Sequence, residues 1–116
     1  MGLDPATLNE LAKAAPLFAA LGDPIRLHLV VRLSHTGSLS TTRLTEGTRV
    51  TRQAVAKHLG ALQDAGLVRS ARAGRERIWE LQPWRLSEIR GYLDQISTEW
   101  DRTLDRLRSS VESERH

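Results

Sequence analysis

The segment VTRQAVAKHLGALQDAGLV, Val50 to Val68, constrains what this chain can fold into more than any other. At the helical advance of about 100° per residue, Val55, Leu59 and Leu62 fall on one side and form a core stripe. The opposite side carries Gln53, Lys57, Gly60 and Asp64, with Ala56 beside them. Thr51 occupies the capping position and Ala65-Gly66 supplies the stop, which predicts a helix over about 51–64. A glycine inside a helix costs about 1 kcal/mol relative to alanine. Gly60 lies on the face that core packing does not use. Either the glycine is merely tolerated there, or something must approach that face closely.

Beyond Gly66 the helical period ends. LVRSARAGRERIWEL reads as two short strands, Leu67 to Arg72 and Arg75 to Leu81, joined at Ala73-Gly74, where glycine can take the positive φ of a tight hairpin. Pro83 closes this hairpin, which spans about 67–82. Upstream, Asp4-Pro5 and Asp23-Pro24 each pair a capping acceptor with a proline at the first helical position. The first opens a helix through Leu8, Leu11, Ala12 and Ala15, which Pro16 is expected to bend or interrupt before Phe18 and Leu21. The second opens an apolar helix from Ile25 to Leu33 that stops near Gly37. Ser38 or Ser40 then caps a short helix with Leu39 and Leu44. From Trp84 a long helix reaches about Val111, with apolar residues from Leu86 onward spaced 3, 4, 3, 4, 4, 3 and 4 apart. The polar end ESERH is expected to fray.

The length of 116 residues fits one domain, 1–116, with a modest core. With no cysteine, disulfides, thiolate metal sites and cysteine nucleophiles are excluded. No apolar run approaches the roughly 20 residues that cross a bilayer. The opening MGLDPATLNELAKAA lacks the basic-then-apolar order of a secretory signal, and Gly2 with Ala6 and Thr7 fits the myristoylation pattern poorly. A cytoplasmic location without membrane contact is the expectation. The net charge of +3 is unevenly distributed: zero over 1–42, +5 over 43–78 and −2 over 79–116. A basic middle third suits a polyanion, although charge alone is equally a solvated surface.

The predicted order is α-α-α-α-β-β-α, mainly helical with a β-hairpin wing. Two closely connected helices followed by a basic hairpin form the plan of a winged helix-turn-helix, whose second helix enters the major groove of DNA. The residues that carry this plan resemble the ArsR/SmtB-type bacterial transcriptional regulators. LFAALGDPIRLHLVVRL resembles the second-helix signature, VTRQAVAKHLGALQDAGLV the recognition helix, and GRERIWEL the wing. The match covers roughly Leu17 to Leu81, and the long last helix with Trp100 fits a common subgroup. The resemblance implies a homodimeric repressor that leaves its near-palindromic operator when an inducer binds. Its partners would be double-stranded DNA, a second copy and a small-molecule or protein inducer.

The sensing sites of that family are not matched. The thiolate site needs cysteines in a segment that here reads TTRLTEGTRVT. The site on the last helix needs histidines, but two residues after Asp94, Asp101 and Asp105 stand Ile96, Thr103 and Leu107. Beyond His58 the only histidine is His116. Neither metal nor cofactor is expected.

Several residues then have DNA roles to weigh. Gln53 can bond an adenine edge in two places, and Lys57 can meet guanine or phosphate. Thr51 is a cap first, yet a hydroxyl and amides at a helix N-terminus also suit a phosphate. Arg49 and Arg52 flank that terminus, where positive charge opposes the helix dipole by up to about 1 kcal/mol. A phosphate would relieve it. Family members often carry a small polar residue where Ala56 stands, so one contact is missing. Arg72, Arg75 and Arg77 surround the hairpin tip, tempered by Glu76, and can grip phosphates or a narrow groove. His58 lies towards the core side and reads as structural rather than as a base contact, and Arg26 reads as structural, bracing the second helix.

The apolar line of the last helix exceeds what one small domain can bury together with Leu8 and Leu11. Leu8, Leu11, Leu93, Ile96, Trp100, Leu104 and Leu107 are therefore expected to form a dimer interface from the first and last helices. An enzyme has little support: G-x-S-x-G, phosphate-loop and zinc-protease motifs are missing, and His28 and His35 sit two helical turns, about 10 Å, apart. A protein-interaction scaffold on the same fold, without sequence-specific DNA binding, is the alternative.

Overall fold

The computed structural model describes residues 4–114, so the readings at Gly2 and His116 lie outside them. Its elements run α1 (Pro5–Leu21), α2 (Pro24–Thr36), β1 (Ser38–Ser40), α3 (Thr41–Glu46), α4 (Arg52–Asp64), β2 (Val68–Ala73), β3 (Glu76–Leu81) and α5 (Pro83–Glu114). The helix starts follow from their caps. Asp4 Oδ1 accepts from the Thr7 amide at 2.7 Å, and Asp23 Oδ1 from the amides of Ile25 and Arg26 at 2.8 and 3.1 Å. Ser40 Oγ and Thr51 Oγ1 do the same for Arg43 and Ala54, each at 3.1 Å.

Three expectations require correction. The element order is α-α-β-α-α-β-β-α, because Ser38–Ser40 is a strand and only Ser40 caps α3. This strand pairs antiparallel with β3, Leu39 opposite Trp79, so the wing hairpin belongs to a three-stranded sheet of order β1-β3-β2. Pro16 does not interrupt α1, which runs unbroken for 17 residues. An exposed proline removes one backbone hydrogen bond, while Ala14, Leu17 and Ala20 bury the helix on the other side. The last helix is also longer than expected, 32 residues ending at Glu114.

The core gathers Leu17, Leu29, Leu33, Leu44, the α4 stripe of Val55, Leu59 and Leu62, then Leu67, Val68, Trp79 and Ile89. Helix α4 ends in paired backbone bonds, Leu67 N–H to Leu62 carbonyl at 3.0 Å and Gly66 N–H to Gln63 carbonyl at 2.9 Å. That closure requires the left-handed conformation Gly66 adopts at φ +79°, and it turns the chain directly into β2. The hairpin closes at Gly74, φ +64°, with Arg75 beside it. Arg32 of α2 holds α3 in place, donating to the carbonyls of Leu44 at 2.8 Å and Arg43 at 3.0 Å. Among the described residues no single helix is long and apolar enough to cross a membrane.

Candidate nucleic-acid interface

Helix α4 has two sharply different sides. Val55, Leu59 and Leu62 are fully buried, which fixes the helix against the core. Gln53, Ala56, Lys57 and Asp64 are exposed on the other side. A Cβ on Gly60 would meet nothing within 4 Å, so packing inside this chain does not require the glycine. Its steric consequence falls on the outer face alone.

At the N-terminus of α4, Thr51 Oγ1 is engaged as the cap by the Ala54 amide. The amides of Arg52 and Gln53 belong to the first turn, where helices have no acceptor of their own. Arg52 Nη1 donates to Thr42 Oγ1 at 2.7 Å and so ties α4 to α3 across the helix-turn-helix. Arg49 is exposed beside it. Sequence reading missed Thr42, because nothing in the linear order places it against Arg52.

The wing carries its arginines on a definite side. Val68, Ser70 and Arg72 alternate along β2 and pair with Leu81, Trp79 and Arg77 of β3, on the face that turns to the core. Arg72 and Arg77 thus extend that buried face out to the hairpin tip. The two stand directly opposite each other, an arrangement of like charges that is unfavourable without an anion nearby. Arg77 Nη1 donates to Ser70 Oγ at 2.9 Å, and Ser70 Oγ donates to Gln63 Oε1 of α4, also at 2.9 Å. This relay, invisible in the sequence, binds the wing to the far end of α4. On the other face of the sheet Arg69 is neutralised by Glu80. Arg49, Lys57, Arg72 and Arg75 form no ion pair among the described residues.

His58 and Arg26, both expected to be structural, face each other between α4 and α2. His58 Nδ1 lies 3.4 Å from Arg26 Nη1 and 4.0 Å from Asp23 Oδ1. The Asp23 carboxyl is held below the usual carboxylate range, chiefly by the Arg26 amide, with the Ile25 amide and the nearby positive charge adding to it against the opposing effect of burial. Among the described residues no three His, Asp or Glu side chains converge in a way that could hold a metal. Leu8, Leu11, Leu93, Ile96 and Leu107 are exposed, Trp100 at 60%, and Leu104 is half-buried. A groove of about 360 Å³ runs between α1 and α5, lined by Leu11, Phe18, Ile96 and Trp100 among others.

A buried-backed helix following a short helix, with a cationic hairpin fastened to its end, defines a winged helix-turn-helix protein. A family model described as a helix-turn-helix domain matches residues 21–71. The HTH-type transcriptional regulator Rv2034 of Mycobacterium tuberculosis is 37% identical over 95 residues, 82% of this chain and 85% of that protein. The solved structure of an ArsR-like transcriptional regulator from Rhodococcus sp. RHA1 superposes with a TM-score of 0.71 at 38% identity, covering 84% of this chain and 91% of that one. The homodimeric winged helix-turn-helix DNA-binding domain Mb0332 of Mycobacterium bovis shares the fold alone, with a TM-score of 0.64 at 19% identity over 85% of this chain and 91% of that one. The chain belongs to the ArsR/SmtB-type winged helix-turn-helix transcriptional regulators, and it is a DNA-binding regulator of transcription. The scaffold alternative gives way to that membership.

Proposed function

We propose that the protein is a homodimeric repressor acting in the cytoplasm on a near-palindromic operator, and that a small organic molecule or a partner protein releases it. The observation that carries the reading is the outer face of α4. Gln53, Ala56 and Lys57 are exposed on the N-terminal half of a helix whose opposite stripe is fully buried. In this reading Gln53 and Lys57 contact base edges, and Gly60 lets the groove wall approach. Arg49, Thr51 and Arg52 receive a phosphate at the helix N-terminus, while Arg72, Arg75 and Arg77 grip the backbone beside the wing. Leu8, Leu11, Leu93, Ile96, Trp100, Leu104 and Leu107 meet a second copy, which sets two recognition helices about 34–36 Å apart, one turn of DNA. The homodimeric Mb0332 domain supports that assembly. The missing cysteines and the absence of histidine partners for Asp94, Asp101 and Asp105 support a signal other than the family's familiar metal ions.

Binding to DNA from upstream of the protein's own gene, compared with a scrambled duplex across a salt series, tests this reading. One dimer per near-palindrome, with log affinity falling linearly in log salt, is expected. Equal, weak binding to both duplexes at every salt concentration would oppose it. The two kinds of contact separate by mutation. Gln53→Ala lowers affinity for the operator about 10–100-fold and relaxes preference at one base step, the worth of a bidentate contact of about 1–3 kcal/mol. Arg75→Ala weakens all sequences alike and reduces the salt slope by about 1. If both substitutions act equally on operator and random DNA, these roles are misassigned.

A further inference from the structure

We infer that Arg26 and His58 form a positioning link that fixes the recognition helix α4 against the end of α1 and thereby sets the distance between the two recognition helices of the dimer. The inference rests on the dimeric, operator-binding reading above. Its material is a three-way contact between elements far apart in sequence. Arg26 Nε donates to the Ala20 carbonyl at 2.6 Å and Nη2 to the Ala19 carbonyl at 3.3 Å, both in the last turn of α1; the Ala19 carbonyl also accepts from the Gly22 cap amide at 3.2 Å. The third arm of the same guanidinium, Nη1, reaches His58 Nδ1 on α4 at 3.4 Å. The base of Arg26 is itself held, since its backbone amide donates to Asp23 Oδ1 at 3.1 Å.

The chemistry of the two side chains makes this link directional. A guanidinium is planar, always charged and donates only, so a hydrogen bond here requires Nδ1 of His58 as the acceptor and the ring proton on Nε2. Other polar contacts hold the two ends of α4, Arg52 to Thr42 and Gln63 to Ser70, while around His58 the hold is the apolar stripe of Val55 and Leu59, and apolar contact tolerates small rotations that a directed hydrogen bond does not. His58 lies next to Lys57 in the sequence and one turn beyond Ala54, so rotation of α4 about its axis that breaks the Arg26 contact also turns Lys57 and Gln53 in the groove. Helix α1 contributes to the proposed dimer interface. The contact therefore connects the element that meets the second copy to the element that reads the base edges. Because the His58 side chain retains 23% exposure, its removal leaves the core stripe intact.

The test uses the full-length dimer, with a duplex of about 30 bp that the wild-type protein enriches from a random-sequence pool, long enough for two half-sites one turn apart. The same duplex with one base pair inserted or removed between its half-sites measures tolerance of spacing. His58→Ala is expected to lower discrimination between native and altered spacing about tenfold, the worth of roughly one base-pair mismatch. Affinity for random duplex and the dimeric state should not change. His58→Asn, whose amide oxygen can replace Nδ1 as acceptor, should restore the discrimination. Wild-type spacing discrimination in His58→Ala would overturn the link, as would failure of asparagine to restore what alanine loses. A measurement without DNA decides the geometry separately. Nitrogen-15 spectra of the neutral His58 ring should show the proton on Nε2, and a proton on Nδ1 would overturn the inference. Failure of the wild-type protein to enrich any duplex would instead reject the operator reading itself, a result distinct from those of the variants.

Discussion

Aspartate in place of both Trp100 and Leu107 is expected to yield a folded monomer whose operator affinity is lower by about 10²–10⁴-fold. Trp100 is 60% and Leu107 57% exposed in the single protomer, so neither substitution removes a core contact. The loss comes from what the second copy supplies. Two linked recognition helices bind their half-sites as one event, and the second half-site meets its helix at an effective concentration in the millimolar range. A monomer forfeits that advantage while keeping each contact within one half-site. Two carboxylates placed in an apolar interface also oppose association directly, because burial of an unpaired charge is strongly unfavourable. Sedimentation gives the assembly state, circular dichroism the fold, and titration with operator duplex the affinity. A double variant that stays dimeric, or a monomer that keeps wild-type operator affinity, would place the interface or the mode of binding elsewhere.

Trp79→Ala should be the most damaging single substitution in the sheet, destabilising the protein by about 3–5 kcal/mol. Trp79 is 6% exposed at the centre of the middle strand β3, with Leu39 of β1 on one side and Ser70 of β2 on the other. Its indole Nε1 donates to Thr41 Oγ1 at 2.9 Å, a buried bond that fastens the sheet to the start of α3. Alanine removes the ring, leaves a cavity and strands the Thr41 hydroxyl. Phenylalanine keeps most of the volume and should lose mainly the hydrogen bond, about 1–3 kcal/mol. Thermal unfolding at fixed protein concentration should therefore rank wild type above Trp79→Phe above Trp79→Ala, with the alanine variant lower by about 10 °C or more. Equal midpoints for the two variants would mean that ring packing contributes little beyond the indole bond.

The same residue shows where reading along the chain stops. Strand β1 has three residues, too few to display a two-residue period, and its partner Glu80 lies 42 positions after Ser38. Between two apolar helical runs, Ser-Leu-Ser reads as the capped start of a short helix, and only the edge of β3 converts it into strand. Pro16 misled in the opposite direction. Local chemistry argues for a bend or an interruption there, and the interruption does not occur: burial of Ala14, Leu17 and Ala20 against the core keeps α1 continuous. The candidate site divides along the same line. Gln53, Lys57 and Gly60 were legible as an outer face because one helix places them by its own period. Thr42 on Arg52, Gln63 and Ser70 on Arg77, and Arg26 on His58 were not, since each contact joins different elements.

By itself the sequence determined the local elements and their order wherever a cap, a period or a glycine stop acts within a few residues. Thr51 starts α4, Gly66 ends it, Gly74 turns the hairpin and the apolar line from Leu86 to Val111 makes one helix. Only the tertiary structure decided that the hairpin is part of a three-stranded sheet, that Arg72 and Arg77 stand opposed on the core-facing side of the wing, and that α4 is held at both ends and at its middle by polar contacts. The physical reason is range. Capping and periodicity are properties of neighbours along the chain, whereas strand pairing and side-chain hydrogen bonds between elements exist only once the core has brought distant segments within about 3 Å of one another.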